Sequence, residues 1–249
     1  MIQVNNLDKS FNKKNVLHNI NFSCKQGEVT NIIGASGSGK TTLLKIMVGL
    51  IKPDSGNIIY DGADFTELNF NHKKLIRQCI GMLFQSSALL DSLTVQQNLL
   101  LPLNMLSNLN KKEKLYRIRF CLDRVNLKDV SKKYPSELSG GMQKRVGLAR
   151  AIVMQPKYLF CDEPNSGLDP LTASIINNLI KEITKDFNTT TLVITHDMNS
   201  VLEIGDKIIF LHKGQKWWEG NKNNILDSNN LELSEFVLKG CLVNKIKNN

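Results

Sequence analysis

The sequence predicts an α/β fold with a mainly parallel core sheet, a small antiparallel β layer near the N-terminus and an inserted α-helical subdomain. Short β-type runs separated by turn signals fill the first part of the chain. From about residue 86 to 152, apolar residues recur at spacings of three and four, which is typical of helices. After Pro156, two continuous apolar runs flank an amphipathic helix, and this β-α-β order predicts parallel strands that are covered on both faces.

Each element follows from a local pattern. The N-terminal β runs are Ile2 to Val4, Val16 to Phe22, Val29 to Ile33 and Asn57 to Tyr60. The later elements are the strand Tyr158 to Cys161, the helix Leu171 to Ile183, the strand Thr190 to Thr195, and a hairpin that pairs Ile208 to Leu211 with Lys216 to Trp218. We therefore predict one domain over residues 1–220, with a helical subdomain at about 86–152, followed by a C-terminal helical tail over residues 221–249.

Composition favours a globular, cytoplasmic protein. The chain has 249 residues, of which 41% are hydrophobic, and no apolar run approaches the length of about 18 to 20 residues that spans a bilayer. The first residues are polar and lack the apolar core of a secretion signal. The five cysteines are scattered without a C-x-x-C pair, which predicts free thiols. The net charge is +9, but the lysines are spread along the whole chain with no recognition motif, so we predict no nucleic-acid partner.

A glycine-rich segment between the third β run and a helical pattern indicates phosphate binding. Its residues are Gly34, Ala35, Ser36, Gly37, Ser38, Gly39, Lys40, Thr41 and Thr42. The glycines allow successive backbone N–H groups to surround a phosphate, and the helix that follows adds the positive end of its dipole. Lys40 is expected to reach the β- and γ-phosphates, and the Thr41 hydroxyl to bind Mg²⁺. The segment predicts a P-loop NTPase with a RecA-like core that uses ATP and Mg²⁺.

Two acids end the apolar run Tyr158 to Cys161. A carboxylate at the carboxyl end of a buried parallel strand needs a partner, and a metal ion beside the phosphate loop would supply one for Asp162. Strand side chains alternate, so Glu163 points elsewhere and can polarise the attacking water. By itself such a pair is often only the charge at a helix N-terminus. Beside the phosphate loop it predicts a metal ligand and a general base.

A third motif surrounds Ser139, Gly140 and Gly141. A serine and two glycines that open a helix form a second anion site by physical chemistry alone, although an ordinary helix cap is the alternative. The run Leu138-Ser-Gly-Gly-Met-Gln143, placed before a strand that ends in Asp-Glu, resembles the signature of the ABC ATPase family. The resemblance extends over nearly the whole chain.

That resemblance implies roles for further residues. Gln85 resembles the Q-loop glutamine, which contacts Mg²⁺ or water and whose flanks face a permease. Ser166 to Asp169 resembles the D-loop, and His196 the switch histidine that contacts the γ-phosphate. Phe11 lies where the family places an aromatic residue, usually tyrosine, that stacks on adenine. The alternative is that Phe11 belongs to the core.

The resemblance also implies partners. In this family the phosphate loop of one subunit and the signature of another close on the same ATP, which implies a head-to-tail homodimer of nucleotide-binding domains. Ser139 and Gly141 would then serve the γ-phosphate bound by the partner. The family further implies integral membrane permease subunits, with this chain as a peripheral ATPase on the cytoplasmic face of the inner (cell) membrane.

The cargo is predicted from a resemblance over one segment that begins just before Gln85. The segment Met82 to Val95 resembles that of the Mla/Mce-type ATPases, which implies phospholipid transport between inner and outer membranes and an Mce-domain substrate-binding partner. The alternatives are lipoprotein release, amino-acid import or cell division, and a soluble ABC protein that acts on ribosomes, nucleic acid or iron–sulfur assembly. The lack of a sizeable regulatory domain after Gly220 argues against the methionine-importer type.

Two residues depart from the expected pattern. Asn165 replaces the usual threonine before the D-loop, and Asn31 is polar within the first core strand. A buried Asn31 would need a hydrogen-bond partner.

Overall fold

The structure is a computed structural model that describes residues 1–225 and 228–238. The chain divides into two compact units. Unit 1 consists of Met1–Arg77 together with the chain from Thr190 onward, and unit 2 is Gln78–Thr189. Among the described residues, no helix has the length and apolar character that a membrane crossing requires.

The elements follow in chain order. They are β1 (Ile2–Phe11), β2 (Lys14–Cys24), β3 (Val29–Ile33), α1 (Lys40–Met47), β4 (Ser55–Tyr60), β5 (Ala63–Asp64), α2 (Phe70–Gln78), β6 (Ile80–Leu83), α3 (Val95–Leu106), α4 (Lys111–Arg124), a short 3-10 turn (Pro135–Glu137), α5 (Gly140–Ile152), β7 (Tyr158–Asp162), α6 (Pro170–Asp186), β8 (Thr190–Ile194), α7 (Met198–Ile204), β9 (Lys207–His212) and β10 (Gln215–Gly220). A last helix, α8, covers residues 231–238.

An antiparallel sheet in unit 1 has the strand order β2-β1-β4-β5. β1 and β2 are longer than the apolar runs predict, because they meet at a tight hairpin in which Phe11 pairs with Lys14. The two turn residues, Asn12 and Lys13, have φ values of 49° and 64°. Positive φ at both central residues is the geometry of the type I′ turn, which matches the twist of the flanking strands. The predicted N-terminal antiparallel layer is confirmed.

The core strands of unit 1 are mainly parallel. β3 lies between β8 and β9 and is parallel to both, whereas β10 pairs antiparallel with β9. All five residues of β3 are buried. They include Asn31, whose Nδ2 donates to the main-chain oxygen of Val201 at 3.4 Å, whereas its Oδ1 has no hydrogen-bond partner among the described residues, so the burial of this side chain is only partly compensated.

Unit 2 contains a second parallel pair and most of the helices. β6 and β7 are parallel, with Leu83 opposite Cys161. The stretch from 86 to 152 contains α3, α4 and α5 and no strand, as the apolar spacing predicted. Capping boxes that begin at Thr94 and Asn110 start α3 and α4. Together with the strands of unit 1, these elements confirm the predicted α/β fold class.

Several boundaries differ from the expectations. α6 begins at Pro170, where Asp169 caps it, and continues to Asp186, past the predicted end. α2 was not predicted, because it is short and polar: among its nine residues only Phe70, Leu75 and Ile76 are apolar, and none of its side chains is buried. In the predicted tail, Leu233 and Val237 of α8 are buried against Phe210. Residues 226–227 and 239–249 of that tail lie outside the described residues.

Candidate nucleotide-binding and hydrolysis site

The glycine-rich loop of unit 1 has the backbone geometry of a phosphate cradle. Gly34, Gly37 and Gly39 all have positive φ, with values of 154°, 79° and 102°. At Gly34 a Cβ atom would lie 2.3 Å from the main-chain oxygen of Leu211, so the loop passes the neighbouring strand too closely for any side chain. At Gly37 a Cβ would meet nothing within 4 Å, so this position borders open space.

Two side chains of the loop indicate that it can bind an anion. Lys40, at the start of α1, is only 9% exposed, and its Nζ donates to the main-chain oxygens of Gly34 at 2.7 Å and Ala35 at 3.0 Å. The Ser38 hydroxyl is buried and has no hydrogen-bond partner among the described residues. A buried polar atom without a partner is costly, and a phosphate oxygen would satisfy it. The loop therefore fits the phosphates of ATP.

His196 lies in the turn after β8, at the same edge of the core strands as the phosphate loop. β3 and β8 are parallel and in register at Ile32 and Ile194, so the loop after β3 and the turn after β8 begin side by side. His196 is exposed there and follows Thr195. The carboxyl edge of parallel strands is where α/β proteins bind ligands.

Residue Phe11 is the last residue of β1, and its side chain is 43% exposed. It is therefore not a core residue, which removes the alternative explanation for this aromatic position. The Lys9 ammonium lies 5.2 Å from the ring centroid. An exposed ring with a cation beside it suits stacking on a flat aromatic group such as adenine.

The predicted carboxylates and Gln85 lie in unit 2. β6 and β7 are parallel, so the segment that contains Gln85 and the segment that contains Asp162 and Glu163 leave the same edge. The amide Nε2 of Gln85 lies 3.3 Å from the Ser166 hydroxyl. Glu163 has a φ of 46°, a left-handed conformation that is uncommon for a residue with a side chain and is typical of functional sites.

Oxygen ligands for Mg²⁺ are available on both units. Asp162 ends β7 and is half-buried, and Thr41 is exposed in the first turn of α1. Carboxylate and hydroxyl oxygens are the hard ligands that Mg²⁺ prefers in proteins. Each unit therefore contains an oxygen ligand of the type that the ion takes, Thr41 in unit 1 and Asp162 in unit 2.

The signature segment opens α5. Ser139 is the N-cap of this helix, and its hydroxyl accepts from the Met142 N–H at 3.3 Å. Ser139 and Gly140 are exposed, whereas Gly141 is buried, and a Cβ at Gly141 would lie 2.4 Å from the Thr172 methyl group of α6. The segment thus caps α5, and its exposed residues Ser139 and Gly140 lie at the positive end of the helix dipole, where an anion can bind.

Two residues of this neighbourhood were not predicted. Lys144 of α5 donates through its Nζ to the main-chain oxygens of Gln85 and Glu163. Arg150 of the same helix donates to the main-chain oxygens of Ser87 and Ala88. Spacing could have identified Lys144, because it lies three residues from both Gly141 and Gly147, on one face of the helix. Two glycines on one helix face indicate close packing there.

Comparisons with known proteins agree with this geometry. The family model described as ABC transporter matches residues 17–166. The chain is 40% identical over 242 residues to the methionine import ATP-binding protein of Haemophilus influenzae strain 86-028NP, which covers 95% of this chain and 70% of that protein. It is also 40% identical to the methionine import ATP-binding protein of Carboxydothermus hydrogenoformans, over 88% of this chain and 66% of that protein.

A solved structure is similar over most of the chain. It is the dimeric, post-hydrolysis state of the ATP-binding cassette MJ0796 bound to ADP and Pi, with a TM-score of 0.80 and 32% identity over 89% of this chain and 99% of that chain. The relatives named above are methionine import proteins and not Mla/Mce-type ATPases, so phospholipid cargo and an Mce-domain partner are not supported. The expectation drawn from the sequence after Gly220, which disfavoured a methionine importer, is not supported either. The P-loop fold and the family prediction are confirmed: this chain belongs to the ABC transporter family as an ATP-binding, ATP-hydrolysing protein of that family.

Proposed function

We propose that this chain is the ATPase subunit of an ABC transporter that imports an amino acid such as methionine. The phosphate loop supports the ATPase part, since the buried Ser38 hydroxyl and the enclosed Lys40 are arranged to receive an anion. The likeness to methionine import proteins over 95% of the chain supports the cargo. Amino-acid import was an alternative at the sequence level, and it now replaces phospholipid transport as the main hypothesis.

The proposed chemistry divides between binding and hydrolysis. Backbone N–H groups from Gly34 to Thr42 hold the phosphates, with Phe11 stacking on adenine. Lys40 then turns from the loop carbonyls to the β- and γ-phosphates. Thr41, Asp162 and Gln85 are the proposed ligands of Mg²⁺, which would supply charge neutralisation at the phosphate oxygens. Glu163 orients and deprotonates the attacking water, and His196 contacts the γ-phosphate.

The signature segment suggests why two copies are needed. Ser139, Gly140 and Gly141 present the N-terminus of α5, and in this proposal they contact ATP held by the phosphate loop of a second copy. The dimeric state of the MJ0796 cassette is consistent with such a pair. Closure of the pair drives transport only if ATP binds the closed form more tightly than the open form. Permease subunits in the membrane would convert that closure into movement of the cargo.

The catalytic roles are tested with two variants of the full chain. Glu163→Gln is expected to keep ATP binding, lose steady-state turnover and accumulate as an ATP-bound dimer on size exclusion. Lys40→Ala is expected to lose ATP binding itself, because it removes the charge that faces the phosphates. Turnover of Glu163→Gln at the parent rate would show that Glu163 is not the base.

The cargo is tested by transport and by co-purification. Deletion of the gene is expected to abolish uptake of labelled methionine, and the chain purified from detergent-solubilised membranes should bring a permease with it. Recovery of an Mce-domain protein, together with a defect in phospholipid trafficking, would instead restore the phospholipid hypothesis. Recovery with ribosomes or DNA and without membrane proteins would contradict a transporter of any kind.

A further inference from the structure

The helix that begins at the signature segment carries a buried cation with an unusual set of partners. Lys144, in the second turn of α5, is only 5% exposed. Its Nζ donates to the main-chain oxygen of Gln85 and, at 3.3 Å, to that of Glu163. One ammonium group therefore joins the helix of the signature to the segment of Gln85 and to the residue proposed as the general base.

Burial makes this arrangement costly unless it is well satisfied. Burial lowers the pKa of the Lys144 ammonium, while the charges near it, including Glu163 and Asp162, oppose that shift. Arginine would carry the same charge with a broader, planar group, and methionine would fill much of the same volume without a donor. A lysine at this buried position is therefore explained by the carbonyl oxygens that it binds.

A second cation of α5 holds the residues that follow Gln85. Arg150 donates to the main-chain oxygens of Ser87 and Ala88, each at 2.7 Å. These two residues have φ values of 60° and 48°, so the chain is left-handed at two successive positions. Gly147 allows close packing here, since a Cβ on it would lie 3.2 Å from the Cβ of Ser87. The segment 85–88 is thus fixed to α5 at three carbonyl oxygens.

We propose that Lys144 is a positioning residue for ATP hydrolysis, which holds the main chain of Glu163 and of Gln85 in the arrangement that the reaction needs. The proposal rests on the roles assigned above to those two residues. The hydrogen bonds of Lys144 go to the main-chain oxygens of these two residues, so Lys144 acts through them. It acts by binding the carbonyl oxygen of Glu163, whose left-handed φ of 46° persists only if its surroundings hold it.

The size of the effect follows from geometry. A displacement of about 1 Å in a positioned catalytic group costs on the order of 100-fold in rate. Lys144→Met removes the hydrogen bond while keeping a similar chain length, and we expect kcat to fall by about 10-fold to 100-fold on that basis. The phosphate loop belongs to unit 1 and is unchanged, so KM and the affinity for a fluorescent ATP analogue should stay within about 3-fold of the parent.

The test compares variants of the full chain. Lys144→Met is measured beside Lys144→Arg, which keeps the charge and the donors on a broader group and should therefore recover part of the kcat that Lys144→Met loses. Arg124→Met is the matched control. It removes a part-buried cation of the same unit, one that pairs with Asp186, and it should leave kcat unchanged. Thermal unfolding of each variant separates a loss of fold from a loss of rate.

A double variant distinguishes positioning from a general structural role. If Lys144 acts through Glu163, then Lys144→Met should not lower the residual single-turnover rate of Glu163→Gln any further, because the two changes remove one function. A further fall by the same factor as in the parent would overturn the proposal. So would a parental kcat for Lys144→Met, or a folded Lys144→Arg with no recovery.

The same variants separate this inference from the proposed function. If Glu163→Gln hydrolyses ATP at the parent rate, the assignment of the base fails, and the positioning role fails with it. If Glu163→Gln is inactive and Lys144→Met is fully active, only the positioning role is wrong. If Lys144→Met fails to fold, Lys144→Gln takes its place, because it keeps an N–H donor without the charge. Its kcat is expected to lie between that of the parent and the loss of about 10-fold to 100-fold expected for Lys144→Met. A parental kcat for Lys144→Gln would again overturn the proposal.

Discussion

Substitution of Gly34 by alanine tests why the phosphate loop requires glycine at its first position. Two separate penalties apply there. The φ of 154° lies outside the range that residues with a Cβ commonly adopt, and the added methyl group would lie 2.3 Å from the main-chain oxygen of Leu211 and 2.7 Å from the Ser38 hydroxyl. The Ser38 hydroxyl can rotate away but the main-chain oxygen of Leu211 cannot, so the loop or the strand must move.

The chain contains a matched control for the first penalty. Gly62, in the turn before β5, has a φ of 89°, and a Cβ there would meet nothing within 4 Å. Gly62→Ala should therefore cost only the conformational strain, about 1 kcal/mol in free energy of unfolding. Gly34→Ala adds overpacking, which costs about 1 to 3 kcal/mol more. The expected total for Gly34→Ala is about 2 to 4 kcal/mol, a large part of the stability of a typical domain.

The assay is urea unfolding followed by tryptophan fluorescence. Both tryptophans, Trp217 and Trp218, lie on β10 in unit 1, the unit that also contains Gly34 and Gly62. With a slope of about 2 kcal/mol per molar urea, the midpoint of Gly34→Ala should lie about 0.5 to 1.5 M below that of Gly62→Ala. Gly34→Ala should also bind ATP more weakly, whereas Gly62→Ala should bind like the parent. Equal midpoints for the two variants would refute the role assigned to the Leu211 contact.

Four further outcomes are expected. Burial raises the pKa of the thiols of Cys24, Cys121 and Cys161 to about 12. An alkylating reagent at pH 8 should therefore modify these thiols only after unfolding, as detected by mass spectrometry. Modification in the native protein would contradict their burial. Phe160→Ala, at a fully buried position of β7, should lower the free energy of unfolding by about 3 to 5 kcal/mol, whereas a loss below about 1 kcal/mol would mean that the site collapses around the change. Asn110→Ala removes the capping box of α4 and should lower the free energy of unfolding in urea by about 1 kcal/mol. An unchanged free energy of unfolding would show that solvent replaces the cap equally well. Chelation of Mg²⁺ by EDTA should abolish ATP hydrolysis, restored by added Mg²⁺, and activity that persists in EDTA would contradict the assigned oxygen ligands.

The order of the elements could be predicted, and the candidate site residues could be proposed, because their signals are local. The apolar runs that became β3, β7 and β8 lie where the sequence indicated, since buried parallel strands are apolar along their whole length. α2 could not be predicted, because a nine-residue segment with only three apolar residues gives too short a pattern to distinguish a helix from a polar loop. The ends of β1 and β2 were missed because a two-residue turn, and not the apolar pattern, fixes the hairpin.

The cargo shows a different limit. The segment Met82 to Val95 suggested phospholipid transport, whereas relatives that match nearly the whole chain are methionine import proteins. No residue of an ATPase subunit needs to touch the cargo, so the chemistry of this chain does not encode it. Similarity over a short segment is then a weaker guide than identity over the whole length.

The sequence by itself determined the phosphate chemistry of this protein. The glycines of the phosphate loop, the lysine that follows them and the acids at the end of an apolar strand could be proposed as site residues, because consecutive residues specify backbone geometry and local spacing. Only the tertiary structure decided what Lys144 does, because its partners Gln85 and Glu163 are 59 and 19 residues away along the chain. A buried ammonium binds whichever carbonyl oxygens the fold brings to it, and packing, not spacing, places them there.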